Sequence, residues 1–170
     1  MADIKDIVDE FKIIATGDDA VPASTGMVGI ESFAYDFPIS IVNAQHNRKY
    51  PLVLLSKQHP FTYPEFQRKY RLYTIRYMVL DLYKQAEQKT TNRQTKTTSL
   101  ENLAEQFLRE FRKRSLGKTV KITTKQDWEI LEETVTGESI ERIGNDALTG
   151  IEFELQIRVF TDCDEGTFNF

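Results

Sequence analysis

The chain is poor in the residues that carry most enzyme chemistry. It has one cysteine, Cys163, and two histidines, His46 and His59. A single cysteine excludes an internal disulfide framework and any cysteine-rich zinc site. Cys163 lies among Asp162, Asp164 and Glu165, whose charges disfavour a thiolate. Nothing in the order of residues brings Cys163 to either histidine as nucleophile and base. His59, just before Pro60, reads as a turn residue. No apolar run approaches the ~20 residues that a membrane span needs. The start, MADIKDIVDEF, is acidic where a signal peptide has a basic segment and an apolar core. A soluble protein made in a cytoplasm, without a membrane partner, is the expectation.

Familiar catalytic motifs are missing as well. Gly26-Met27-Val28-Gly29 lacks the Lys-Ser/Thr that completes a phosphate-binding loop. There is no serine-nucleophile elbow and no HExxH. Asp162, Asp164 and Glu165 lack the spaced ligands and closing glutamate of a calcium loop, and Asp18-Asp19 is only a pair. Glu132 and Glu133 are neighbours in a strand pattern. They point to opposite faces and cannot flank one glycosidic bond. The expectation is therefore a protein that is not an enzyme and holds no metal or cofactor.

What is present is an ordinary globular composition, 40% apolar and 28% charged over 170 residues, enough for one domain with a real core. The strongest signal is Thr149–Phe160. Ile151, Phe153, Leu155, Ile157 and Val159 alternate with Glu152, Glu154, Gln156 and Arg158. Successive side chains of a strand point to opposite faces, so this stretch has one apolar and one charged face. It needs a sheet beside it and an apolar layer against it.

The remaining chain supplies both. Ile4, Ile7, Val8, Phe11 and Ile14 form a helical stripe over Asp3–Ile14, with Asp3 as N-cap and Gly17 as stop. Residues 17–29 read as a flexible Gly-rich loop. Ile30–Phe37 is a predicted strand, broken by Pro38 and resumed over Ile39–Val42. Tyr50–Ser56, YPLVLLS, is a second strand buried on both faces, joined to the first as a hairpin by residues 43–49. Residues 57–69 form a connector with three aromatics that pack against neighbouring structure. Tyr70–Tyr83 has Tyr73, Ile75, Tyr77 and Val79 spaced by two and is read as a strand. A helical stripe through Leu72, Ile75, Val79 and Leu82 also fits. Residues 84–98 have Ala86 as their one apolar residue and read as a mobile polar arm. A second helix starts at Thr98 or Ser99 with a Thr98–Glu101 capping box and ends at Gly117. Strands follow at Val120–Thr124 and Trp128–Val135. A turn at Gly137-Glu138 leads to Ser139–Ile143, which pairs back, and Gly144-Asn145-Asp146 turns into the final strand. The sum is α+β: a mostly antiparallel sheet covered on one face by two helices.

Charge is unevenly divided. Residues 84–125 hold eleven Lys/Arg and four Asp/Glu, while residues 126–170 hold two and twelve. Either these segments neutralise one another within the fold, or they form complementary faces on neighbouring copies. Lys84, Lys89, Arg93 and Lys96 on the arm could also touch phosphates without sequence preference, but no aromatic residue interleaves with them. A solvated loop is the simpler reading.

Several stretches together resemble the tail-terminator and tail-completion (neck or connector ring) proteins of tailed bacteriophages. These are the N-terminal amphipathic helix, the aromatic segment ending in YPLVLLS, YMVLDLYKQ followed by a polar excursion, the SLENLAEQFLREF helix, and the closing DALTGIEFELQIRVFTDC. The similarity spans roughly residues 3–163 and is loosest at 84–98 and 139–143. It implies a structural subunit of a head–tail connector or tail, in a cyclic ring of its own copies around a channel for DNA. Neighbouring connector or tail proteins would be its other partners, and the virion its location. The interface residues expected on this reading are Lys84, Lys89, Arg93 and Lys96 on the arm and Glu152, Glu154 and Arg158 on the charged strand face. A cellular α+β module that binds a ligand or a peptide along an edge strand is the alternative.

Overall fold

A computed structural model describes residues 4–21, 23–38, 40, 48–63, 70–82, 90–117, 128–143 and 148–160. Helix α1 covers Ile4–Thr16 and buries Ile7, Phe11, Ile14 and Ala15 on one stripe. Gly17, at φ 92°, ends it, its N–H donating to the Ile13 carbonyl at 2.9 Å. The following loop folds back on the helix, the Met27 N–H donating to the Ile14 carbonyl at 2.8 Å. Gly26 is required there, because a Cβ would stand 2.2 Å from the Ala15 carbonyl oxygen.

The strands are β1 (Ser32–Asp36), β2 (Leu52–Ser56), β3 (Phe61–Thr62), β4 (Tyr70–Leu82), β5 (Trp128–Ile143) and β6 (Leu148–Phe160), with α2 (Thr90–Gly117) between β4 and β5. They form a six-stranded sheet in the order β1-β2-β4-β6-β5, with β3 alongside β4. Every pairing is antiparallel except that of β1 with β2. The fold is thus α+β, two helices against a mostly antiparallel mixed sheet, as the sequence pattern predicts.

The core lies between the helices and one face of the sheet. Tyr73, Ile75, Tyr77 and Val79 of β4 and Ile151, Leu155, Ile157 and Val159 of β6 form its floor. These are the alternating residues seen in the sequence, so the two-residue period of Tyr70–Tyr83 is that of a strand. Phe11 joins the layers: its ring lies 5.4 Å from Tyr77, 5.2 Å from Phe107 and 4.5 Å from Phe111. The Tyr77 hydroxyl donates to the Ala104 carbonyl at 3.3 Å, and burial pushes its pKa up. On the other face, Ala34, Leu52, Leu54, Met78, Leu80 and Leu148 form a second buried cluster. All five residues of β2 are buried, as its unbroken apolar run implies.

Five expectations are corrected. β1 and β2 are parallel rather than a hairpin, and Pro38 and Ser40 are helical rather than a continuation of the strand. A parallel pair needs a crossover, and proline suits the first turn of a helix, where its missing N–H has no partner to lose. Residues 90–98, expected in a mobile arm, are the first turns of α2, so Thr98 lies inside the helix and does not cap it. Gly137-Glu138 is not a turn, since β5 runs on through it to Ile143 and pairs with β6 along its length. Finally, Ser139–Ile143 pairs with β6 rather than back on Trp128–Val135. The predicted strand at Val120–Thr124 and turn at 144–146 lie outside the described residues.

A bulge explains how β5 stays in register. Leu131 pairs with Gln156 and Thr136 with Glu154, so residues 132–135 stand opposite Leu155 alone. The Thr134 hydroxyl fills the gap in the ladder. It accepts from the Gln156 N–H at 2.8 Å and donates to the Leu131 carbonyl at 2.6 Å.

Candidate functional site

The charged face of β6 is turned away from the helices, and the register fixes what surrounds it. Glu154 pairs with Arg76 of β4 and Thr136 of β5, and Glu152 with Met78 and Glu138. Arg76 donates through Nε to Glu154 in an ion pair open to solvent. A hollow of about 280 Å³ forms here, lined by Arg76, Thr136, Gly137, Glu138, Glu152 and Glu154. Glu152 has its pKa raised, first by burial and then by the charges of Glu138 and Glu154, while Arg76 opposes the shift. Three carboxylates thus share one guanidinium, and the surface is net negative.

Towards the end of β6, Arg158 pairs with Glu129 of β5 and lies 4.7 Å from the centre of the Tyr70 ring. Glu152, Glu154 and Arg158 therefore share one face, as expected, but Glu154 and Arg158 already have intramolecular partners. Sequence reasoning missed Arg76, Glu129 and Glu138, which complete the face. Their signal was strand register, which pattern alone does not supply.

Of the four arm residues, Arg93 and Lys96 fall within α2. Lys96 is drawn to the end of β4, 3.1 Å from the Asp81 carboxylate and hydrogen-bonded to the Leu82 carbonyl, with its side chain largely buried. This anchors the α2 start to its own sheet and removes Lys96 from a free arm. Arg93 lies in the first turns of α2. Lys84 and Lys89 lie outside the described residues. The basic end of α2 is also occupied within the chain: Arg114 pairs with Glu10 of α1 at 2.9 Å and Arg112 with Glu132 of β5.

The β5 edge is the other distinctive surface. Among the described residues β5 pairs on one side only, with β6, and it is sixteen residues long. Glu132, Glu133 and Thr136–Ser139 along it are exposed. Glu101 and Glu105 of α2 line a hollow of about 290 Å³ beside Gly137-Glu138-Ser139, so the edge is acidic on both sides. Elsewhere, a groove of about 520 Å³ runs between α1, residues 25–28 and α2. Ile13, Met27 and the exposed Val28 line it, along with Arg109 and Lys113.

The residues considered for chemistry fall into structural roles or outside the description. His59 stacks on Tyr35 at 5.5 Å and its Nε2 meets the Tyr35 hydroxyl at 2.9 Å. Asp18 accepts from the Ala20 N–H, and Asp19 pairs with Lys12. Cys163, His46 and the acids of the C-terminal segment lie outside the described residues. Among the described residues, no cluster of His, Cys, Asp or Glu side chains is arranged to hold a metal ion, and no helix is long and apolar enough to cross a membrane.

The fold and these surfaces define an α+β domain with an acidic outer face and a long sheet edge that is unpaired among the described residues. No protein-family model matches the chain, and no curated protein matches it in sequence.

Proposed function

We propose that the chain is a ring-forming structural subunit of a tailed-bacteriophage head–tail connector or tail, in a terminator or completion role. It acts through subunit interfaces around a DNA channel and not through catalysis. The observation that carries this reading is the sixteen-residue β5 edge. A long unpaired strand offers a row of backbone donors and acceptors to another chain. Its acidic flanks would meet a basic surface of the next copy, and a heterologous contact of this kind closes into a ring when its rotation allows. Other connector or tail proteins would cover the ring's two ends, and DNA would pass through without sequence recognition.

The test is the double variant Glu138→Lys/Ser139→Lys. Both residues are exposed on β5, so the monomer keeps its circular-dichroism spectrum while self-association weakens at least ~10-fold, the effect of about 1.4 kcal/mol. Unchanged association removes β5 from the interface.

The 520 Å³ groove favours a second reading, a cellular module that binds a ligand or peptide. That reading predicts a monomer whose Met27 and Val28 amide signals shift on adding an amphipathic peptide.

A further inference from the structure

Where β3 meets β4, a patch of aromatic surface stays open. Phe61 and Tyr63 are each about half exposed, with rings 5.8 Å apart at nearly a right angle. The Arg71 guanidinium lies 5.8 Å from the Phe61 ring centre and 5.4 Å from that of Tyr63. Among the described residues it hydrogen-bonds only phenol hydroxyls, that of Tyr73 at 3.5 Å and that of Tyr63. Its Nε is buried without a partner, and no described carboxylate lies against it. An arginine between two rings, lacking its usual acid, suits an acidic segment that also carries aromatics.

Such a segment leaves the sheet beside it. Tyr70 and Arg71 of β4 pair with Phe160 and Val159 of β6. Residues 161–170, TDCDEGTFNF, follow directly, with three acids and two phenylalanines. Strands lie ~4.8 Å apart and an extended chain covers ~3.3 Å per residue. The patch is two strand spacings from the end of β6, so about five residues reach it. Tethering at that range gives an effective concentration in the millimolar range, well above any free partner.

We infer that the Phe61–Tyr63–Arg71 patch is the docking surface for the chain's own C-terminal segment, with Asp162, Asp164 or Glu165 on the guanidinium and Phe168 or Phe170 against the rings. The docked segment covers the patch and withholds it from other partners. This does not rest on the ring reading, since the contact is within one chain.

The single thiol allows a direct test. A nitroxide on Cys163 of the full-length chain reports local mobility whatever the size of the assembly. The expected spectrum has an immobilised component that falls at least twofold in Arg71→Gln and in Phe61→Ala/Tyr63→Ala. It is unchanged by 100-fold dilution. Arg71→Glu also releases it, and combining Arg71→Glu with Asp162→Lys, Asp164→Lys and Glu165→Lys restores it. Circular dichroism verifies that each variant is folded. A label equally mobile in the native chain and the variants overturns the proposal. So does an immobilised component lost on dilution, which would place the segment on a second copy.

Discussion

Replacing Phe11 by alanine tests the packing of both helices on the sheet. Phe11 is completely buried and touches three rings from two other elements: Tyr77 of β4, and Phe107 and Phe111 of α2. Truncating a buried phenylalanine costs about 3–5 kcal/mol, the transfer of the ring plus the cavity left behind. Its three neighbours are rigid rings set by their own elements, so the site can collapse only slightly. Tyr77 is further held by its bond to the Ala104 carbonyl. The expected loss is therefore about 4 kcal/mol, a large part of the ~5–15 kcal/mol stability of a typical domain. Urea unfolding followed by circular dichroism reads it as a lower midpoint at unchanged slope. Phe61→Ala is the control: half exposed, it should lose no more than about 1 kcal/mol. A loss below about 1.5 kcal/mol for Phe11→Ala, or equal losses in the two variants, would refute this arrangement of the core.

Two further predictions follow from close contacts. At Gly150 of β6 a Cβ would come within 2.4 Å of the Val79 carbonyl oxygen and 2.6 Å of a Leu80 methyl. Gly150→Ala forces two central strands apart and should cost about 3 kcal/mol by thermal or urea unfolding; a loss under about 0.5 kcal/mol contradicts the register. His59 has its pKa lowered from 6.5 by burial, and its Nδ1 is buried without a partner. The folded state therefore binds the proton less readily than the unfolded one. The His59 contribution to stability is complete above the unfolded pKa and is lost as pH falls through the folded one. Urea midpoints should decline below about pH 6.5, and His59→Gln should flatten that part of the curve; the same slope in both chains would exclude His59 as its source.

Much of the sheet was legible because burial imposes a period. β4 and β6 bury alternate residues against the helices, and that alternation is written in Tyr73–Val79 and Ile151–Val159. Their partnership was not legible, nor was the central position of β4 in the sheet, because register and strand order depend on residues far apart in sequence. The direction of β1 against β2 was hidden for a related reason: a strand's own pattern is the same whether its neighbour is parallel or antiparallel. The start of α2 was missed because Thr90–Thr98 has no apolar stripe. A helix nucleated over the amphipathic Ser99–Phe111 adds turns at low cost, and Lys96 then finds Asp81. Gly137 reads as a turn in the sequence because glycine usually breaks strands. Here it makes room for the cross-strand Phe153 ring, which would lie 2.9 Å from a Cβ and which stacks on Tyr77 at 5.4 Å. Of the candidate site, the charged face of β6 was legible and its partners Arg76, Glu129 and Glu138 were not.

The central claim is association into rings, and solution mass tests it most directly. The purified full-length chain would be followed by light scattering or sedimentation over a concentration and salt series, with negative-stain imaging of any large species. The account predicts rings of one definite copy number that salt weakens, because on the proposed reading the acidic β5 edge would meet a basic surface of the next copy. A monomer at every concentration and ionic strength, with no large species on the grid, would contradict it.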